Sequence, residues 1–403
     1  MLITIAWRNI WRNPLRSAVV MTSIALGLMA GTFLLAFSWG MNEQRTREII
    51  ETQVSHLQVH HPNFRADNDV ADFIPESRSV LSMAKQNQQV KAATGRLLVG
   101  GMVASAKGNT GVQIRGITPD AEHEVTQLRD RIIEGEYFTA RRNPIIISQK
   151  TAERLKVGLR KKVVLTFQRP DGEITAGAFR VNGIYQTTNP KYDEAHVFVR
   201  LNDLDRLLGS AGKLHEVAIL MKDIELLPQV KTDLTAEFPE AAIEDWMELS
   251  PDLRLIAESF GVSMRIFIGV ILLALAFGII NTMLMAVLER RRELGMLMSI
   301  GMNRKRLFGM VMLETAMLTL IGSPIGLGVA WLLIAFFGKV GISLSAVSDG
   351  LSSMGFSDRV YTSLETTYYI ETAIMVVITA IIASIYPAIK AIKLNPVEAM
   401  RAV

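Results

Sequence analysis

The sequence predicts an α-helical membrane protein with four transmembrane helices and a large α+β extracytoplasmic domain inserted between helices 1 and 2. Three observations carry that class. The 403 residues are 49% hydrophobic and 20% charged, and the mean hydropathy of +0.26 is too apolar for an average soluble chain. Four runs almost free of charge are long enough to cross bilayer hydrocarbon. Arginines and lysines beside those runs collect on one side of them, as the positive-inside rule requires.

Residues 1–17 read as a cytoplasmic interfacial amphipathic helix. Ile3, Trp7 and Trp11 recur at i, i+4 and i+8, with Thr4, Arg8 and Arg12 on the adjoining stripe. Tryptophan suits the headgroup boundary and arginine suits anionic lipid, so this helix lies flat and enters the membrane near Asn13-Pro14. The first span is placed at 18–40, where Ala18 to Trp39 form 22 uncharged residues, a helix of about 33 Å. No A-x-A-like site follows it, so a retained signal anchor is expected, with the mature chain starting at Met1.

The second span, 264–288, contains Ile266 to Leu288, with Asn281 and Thr282 as its notable polar residues. The third, 307–337, carries one charge, Glu314, and one proline, Pro324; the fourth, 370–389, is the shorter run Thr372 to Ile389. Arg8, Arg12, Arg16, Arg290, Arg291, Arg292, Arg304, Lys305, Arg306, Lys390, Lys393 and Arg401 all fall on one side. That side is cytoplasmic, and it receives both termini, the segment 289–306 and the tail 390–403. The opposite side receives the loop 338–369 and the domain 41–263, whose mixed charges do not oppose translocation because long loops cross largely regardless of charge.

Within the domain, Glu43 to Glu51 continue the first span as helix and Asp252 to Val262 lead into the second, so both ends of the domain stand on stalks. Between them the patterns give a strand over Val54–Val59, a helix over Ser77–Gln88, and a long hairpin from Val90 to Ile117 turning at Lys107 to Gly111. A strand at Ile145–Ser148, a helix at Thr151–Lys156, and strands Val163–Gln168 and Glu173–Ile184 paired across Arg169-Pro170-Asp171-Gly172 follow. The last third reads strand (Glu216–Met221), helix (Ile224–Phe238), strand (Ala242–Glu244), a split α/β unit. Two lobes are expected.

Little in the chain offers chemistry of its own. With no cysteine there is no disulfide framework, no Cys-ligated zinc, no iron–sulfur cluster and no thiol nucleophile. The excess of 43 Lys+Arg over 39 Asp+Glu is too slight to propose nucleic acid as a partner. There is no G-x-x-x-x-G-K-[ST], no H-E-x-x-H and no G-x-S-x-G, so nucleotide binding by a P-loop, a zincin site and a hydrolase elbow are all unsupported. His56, His60 and His61 cluster, and solvent or edge positions explain them better than a metal site. Gly322 to Gly328, and Gly27 with Gly31, read as surfaces for close helix packing. Glu314 is the charged group well inside a span, where structural pairing, with Arg306 within reach, outweighs proton coupling. Asn281 is expected to hydrogen-bond between helices.

The segment Glu289 to Arg306 is charged at its start and apolar in its middle, at Met296, Leu297, Met298 and Ile300. Flexible apolar side chains flanked by charges suit a short helix docking into a groove on a cytosolic partner, with Gly301 as the cap that turns the chain back. This segment resembles the coupling segment of FtsX-like ABC permeases, E-R-x-x-E-[IL]-G-x-[LM]-x-[AS]-[IL]-G. The ending Tyr386-Pro387-Ala388 to Pro396-Val397-Glu398-Ala399-Met400-Arg401 is similar to that family's P-A-x-x-A-x-x-x-x-P-x-E-A-[LM]-R. The opening Trp7-Arg8-Asn9-Ile10 to Arg16-Ser17 resembles its R-N-[IL]-x-R-x-x-x-R-[ST].

The resemblance implies a dimeric permease of the bacterial cytoplasmic (inner) membrane, of like or unlike chains, with a MacB-like periplasmic core. Two copies of a separate cytosolic ABC ATPase would drive it, holding ATP and Mg themselves, so that this chain is not an enzyme and binds no cofactor or metal. By matched positions, Glu289, Arg292, Glu293, Gly295, Met296, Leu297, Met298 and Gly301 would contact the ATPase. The layout looks most like the lipoprotein-releasing permeases, which lift lipid-anchored proteins from the outer leaflet and hand them to a periplasmic carrier. The sequence departs from the carrier-recruiting member at 168–174, where only a short hairpin stands in place of a long hook. If cargo is lipid-anchored, Met29, Phe33 and Phe37 with Met264, Phe267 and Ile271 would receive its acyl chains between the first two spans. Export of peptide or drug through an external adaptor, and mechanical signalling without transport, are the alternatives.

Overall fold

In a computed structural model of the chain, residues 2–12, 14–138, 142–344 and 359–393 are described, and the chain divides into two compact units. Helix α1 (Leu2–Arg12) is followed by α2 (Pro14–Ile49), which ends in a π turn over Ile50–Val54. Helix α1 buries Ala6 and Ile10 and leaves Ile3, Trp7 and Trp11 exposed, the two indoles meeting edge to face at 5.9 Å. A single helix thus presents one packed and one amphiphilic face, the division an interfacial helix needs.

The large domain, residues 44–256, opens with β1 (Leu57–His60), α3 (Phe64–Asp67), α4 (Ser77–Gln86), β2 (Val90–Ala104), β3 (Asn109–Ile117), α5 (Pro119–Thr126) and β4 (Ile132–Gly135). It continues with β5 (Pro144–Ser148), α6 (Gln149–Leu155), β6 (Lys162–Gln168), β7 (Ile174–Tyr185), α7 (Pro190–Ala195), β8 (His196–Arg200) and α8 (Leu201–Leu208). It closes with β9 (Glu216–Met221), α9 (Leu227–Glu237), β10 (Ala242–Asp245) and α10 (Trp246–Leu249).

Strand β2 organises all of this. Its first half, Val90 to Arg96, pairs with β9; from Leu97 onward it pairs with β3, and from Gly101 also with β6. One lobe is the sheet β10-β1-β9-β2. Because β1 is antiparallel to both β9 and β10, those two strands run parallel with α9 between them in sequence, which is the split unit the pattern suggested. In the other lobe the pairings β2-β3-β8-β5-β7-β6 return to β2. This closed ring leaves no free edge among its members. Its interior holds Leu97, Val99 and Val103 with Ile114, Ile145, Leu165, Phe167 and Val199, the inward set of alternating strands.

The strand expected from Val54 instead begins at Leu57, because the π turn consumes Val54 and Ser55 turns the chain at φ +66°. Helices α3, α5, α7 and α10, strand β4 and the pair β8–α8 have no counterpart among the elements expected from sequence.

The second unit contains α11 (Pro251–Glu289), α12 (Arg291–Ser299), α13 (Arg304–Val340) and α14 (Thr366–Ile392), besides α1 and the first part of α2. Among the described residues, helices α2, α11, α13 and α14 are long and apolar enough to cross a membrane. Their shared core includes Ile24, Leu28, Met264, Ile268, Leu275, Ile279, Leu318, Val376 and Ala380. Small residues set the spacing. A Cβ on Gly326 would stand 2.6 Å from the Ala25 carbonyl oxygen, one on Gly322 3.0 Å from that of Met21, and one on Gly31 2.5 Å from Ile271. The two glycine-bearing faces therefore serve close approach of α13 to α2 and of α2 to α11. The C-terminal motif from Leu394, residues 345–358 of the second loop, and Asn13 lie outside the described residues.

Candidate coupling and cargo sites

Helix α11 stops at Glu289 because Arg290 leaves helical geometry, at φ −94° and ψ 14°, and α12 starts at once. Helix α12 ends in a Schellman arrangement: the Gly301 N–H donates to the Met298 carbonyl at 3.1 Å and the Met302 N–H to that of Leu297 at 3.0 Å, with Gly301 at φ +96°. Only glycine adopts that backbone without strain. Asn303 then caps α13 by accepting from the Lys305 N–H at 3.0 Å.

A chain of alternating charges fixes this short helix. The buried Arg290 donates to both Glu314 oxygens, at 2.9 and 3.2 Å, and its Nε donates to Glu293 at 3.1 Å; Arg12 of α1 also pairs with Glu293. Arg12, Glu293, Arg290 and Glu314 thereby tie α1, α12 and α13 together. Glu314 is 3% exposed, and its partner is Arg290 rather than Arg306. Arg306 points outward from the first turn of α13, whereas Arg290 sits at the break between two helices, where its side chain can reach in. Burial pushes the Glu293 carboxyl up, but Arg290 and Arg12 hold it below the usual carboxylate range.

Of the eight matched positions, Glu289, Arg292, Met296 and Gly301 are exposed, Glu293, Leu297 and Met298 are half-buried, and Gly295 is buried beside Leu294. Arg292, Met296 and Ile300 recur every four residues along α12 and its cap, with Met296 55% and Ile300 79% exposed. Ile300, four residues beyond Met296, extends this stripe and fills the [IL] position before the closing glycine of the family pattern.

A lateral groove of about 370 Å³ runs between α2 and α11, lined by Gly27, Ala30, Gly31, Leu34, Ile271, Ala274, Leu275 and Gly278 among others. A second of about 460 Å³, between Pro14, Leu15, Val19, Val20 and Met285, Ala286, Glu289, adjoins it at Thr282. The six residues proposed from sequence mostly lie elsewhere. Met29 and Phe33 pack toward α13, Phe33 meeting Phe337 at 5.7 Å, because the glycine face of α2 is the one turned to α11. Met264 is in the helical core, Phe37 is half-buried and Phe267 is exposed; Ile271 lines the groove. Asn281 is exposed on α11 and makes no hydrogen bond to another helix among the described residues, because it shares an outward face with Ala274 and Gly278.

The large domain contains a charge cluster that sequence reasoning missed. Arg96, fully buried where β2 passes from one lobe to the other, donates to Glu122 at 2.7 and 2.9 Å and pairs with Glu216. His60 is 2% exposed, not at solvent, and its Nε2 lies 3.3 Å from Glu216 while Nδ1 lies 3.7 Å from Glu244. Burial pulls His60 down, yet the two glutamates outweigh it and raise it. Burial pushes Glu216 up, and Arg96 with His60 holds it well below the usual carboxylate range. Burial lowers His215 to about 4, and burial with Arg115 lowers His196 to about 3. His56 accepts from the Met221 N–H at 2.9 Å. Among the described residues no group of three or more His, Asp or Glu could hold a metal ion.

Comparison with known families gives two matches: "MacB-like periplasmic core domain" over residues 17–237 and "FtsX-like permease C-terminal" over 265–396. The lipoprotein-releasing system transmembrane protein LolC of Neisseria meningitidis is 24% identical over 97% of this chain and 95% of its own length. An uncharacterized ABC transporter permease of Methanocaldococcus jannaschii is 26% identical over 55% of each chain. The macrolide export ATP-binding/permease protein MacB of Bdellovibrio bacteriovorus is 24% identical over 96% of this chain and 60% of its own. The chain thus spans little more than half the length of the latter two.

Proposed function

The chain belongs to the FtsX-like permease family and carries a MacB-like periplasmic core domain, and from that premise we propose that it is the membrane subunit of an ATP-driven complex that releases lipid-anchored protein from the outer leaflet of the cytoplasmic membrane. The lateral apolar groove between α2 and α11 carries this reading. It opens sideways along two membrane helices, where an acyl chain can enter from lipid without crossing water, and Gly27, Ala30, Gly31, Ala274 and Gly278 leave room that larger side chains would fill. The similarity to LolC over nearly the whole of both chains supports the same cargo class.

Energy comes from two copies of a cytosolic ABC ATPase, which hold ATP and Mg and dock on the exposed stripe of α12; this chain itself is no enzyme. The exposed Asn281 on α11 suits contact with a second permease chain, where its amide finds a hydrogen bond. Both termini and α12 lie on the cytoplasmic side, and the large domain is periplasmic. A soluble carrier docks, if at all, through a partner subunit, given the short hairpin at Gln168 to Ile174.

The test is photocrosslinking from Leu34 and Ile271 in the assembled complex, using acylated cargo and the same protein without its acyl chains. Labelling of the acylated form alone is expected; equal labelling of both, or none, refutes lipid-anchored cargo. The similarity to MacB favours a second reading, export of a small amphiphile through an external adaptor. A soluble macrolide competing fully for the Leu34 crosslink would select it.

A further inference from the structure

We infer that the large domain contains a binding site for a phosphate-bearing headgroup of the phosphoethanolamine type, at the cavity between its first and last segments. The cavity has a volume of about 590 Å³ and is lined by Arg45, Gln53, Asn189, Lys191, Ser250 and Asp252, among others. It lies wholly within residues 44–256.

Gln53 is the anchor of the argument. It is 7% exposed, its Oε1 accepts from the Asn189 Nδ2 at 2.9 Å, and its Nε2 is buried without a hydrogen-bond partner. The orientation of this amide is fixed by its neighbour. Asn189 Oδ1 already accepts from the Lys191 and Tyr192 N–H groups, at 3.1 and 3.3 Å, so Asn189 must present its NH₂ to Gln53, and Gln53 must turn its own NH₂ elsewhere. A buried donor with no acceptor is costly, and a ligand oxygen removes that cost.

Two further features attract the same oxygen. Ser250, Pro251, Asp252 and Leu253 all line the cavity at the start of the 39-residue helix α11, where the Asp252 and Leu253 amides lack helical acceptors and carry partial positive charge. Arg45 and Lys191 add cationic side chains. Asp252 supplies a carboxylate beside them, which would oppose a bare anion but suits the ammonium of a zwitterion. Arginine, lysine, an unpartnered amide and a helix N-terminus together fit a phosphate, and the carboxylate fits an amine attached to it. In the sequence, Arg45 follows the first apolar run, which ends at Trp39, by six residues, so a lipid headgroup and a soluble phosphate ester both qualify as sources. A ligand there would bridge the segments 45–54 and 249–256, the two ends of the domain.

The experiment uses the full chain in detergent and titrates O-phosphoethanolamine, inorganic phosphate and dihexanoylphosphatidylethanolamine by calorimetry. Saturable binding of the headgroup is expected, weakened at least tenfold by Lys191→Gln and by Gln53→Glu, which keeps the acceptor for Asn189 while replacing the free donor with charge. Asp252→Asn should weaken phosphoethanolamine and not phosphate. Unchanged melting temperatures show that the variants fold, and Lys191→Gln, an exposed position, serves if Gln53→Glu does not. Binding of the short-chain lipid alone identifies a lipid source, and binding of the soluble ester with equal strength identifies a free one. No saturable binding of any probe, or equal affinity in wild type and Lys191→Gln, overturns the inference.

Discussion

Replacing Met296 and Ile300 together by serine tests whether the exposed stripe of α12 is the surface the ATPase grips. Fully burying a large apolar side chain is worth about 1.5–3 kcal/mol. Met296 is 55% and Ile300 79% exposed in the chain alone, so docking can still bury roughly half of the first and most of the second. That gives about 1 and about 2 kcal/mol, or about 3 kcal/mol in sum, and with about 1.4 kcal/mol per decade the dissociation constant should rise about 100-fold. The buried anchor Leu294 and the Arg290–Glu314 pair are untouched, so α12 should keep its place and the melting temperature should hold. The assay is biolayer interferometry between the nanodisc-embedded chain and the ATPase that copurifies with it, with coupled ATP hydrolysis as a second readout. A dissociation constant within threefold of wild type would refute the docking argument.

Three further outcomes are expected. Glu314→Gln removes the more deeply buried of the two carboxylates paired with Arg290, leaving only the half-exposed Glu293, and should destabilise the protein by about 2–4 kcal/mol, while the double change Arg290→Met with Glu314→Met should recover much of the loss; detergent-phase thermal melting decides, and additive losses would show the pair to be inert. His60 is raised by Glu216 and Glu244, with Arg65 and Arg96 as the neighbouring cations, so its stabilising contribution is complete below the ordinary histidine value of about 6.5 and is lost as pH rises through its folded value. The melting-temperature gap between wild type and His60→Gln should therefore be widest below the ordinary value of about 6.5 and narrow as pH rises above it; a gap that widens with rising pH contradicts the ion pairing. Gly326→Val must force α13 away from the Ala25 carbonyl, whereas Gly328, whose added Cβ would meet nothing within 4 Å, should accept alanine with little change; equal melting temperatures for the two would remove the packing role assigned to Gly326.

The parts of this fold legible in the sequence are those whose pattern is long or punctuated. The apolar runs declared their helices, and the β2–β3 hairpin and β6–β7 pair were marked by glycine-bearing turns. Strand β8 is a short apolar run, Val197 to Val199 between His196 and Arg200, buried on both sides, so it lacks the alternation that announces a strand. At the sites, spacing found Met296 and the surrounding charges but not which way Glu293 turns, because that depends on Arg12, 281 residues away. Phe33 looked like a groove residue by size, yet in α2 the side facing α11 is the small one. The pattern around His60 suggests a solvent or edge residue, because Arg96, Glu122 and Glu216 are far apart in sequence and become neighbours only when β2 has crossed between lobes.

That crossing strand has a consequence for anyone who would cut the domain apart. At that crossing no hinge peptide joins the lobes, since Arg96 and Leu97 are consecutive residues of one strand. A scissile site placed there would leave two fragments each missing half a rail, and neither half could be transplanted without taking the other's scaffold along.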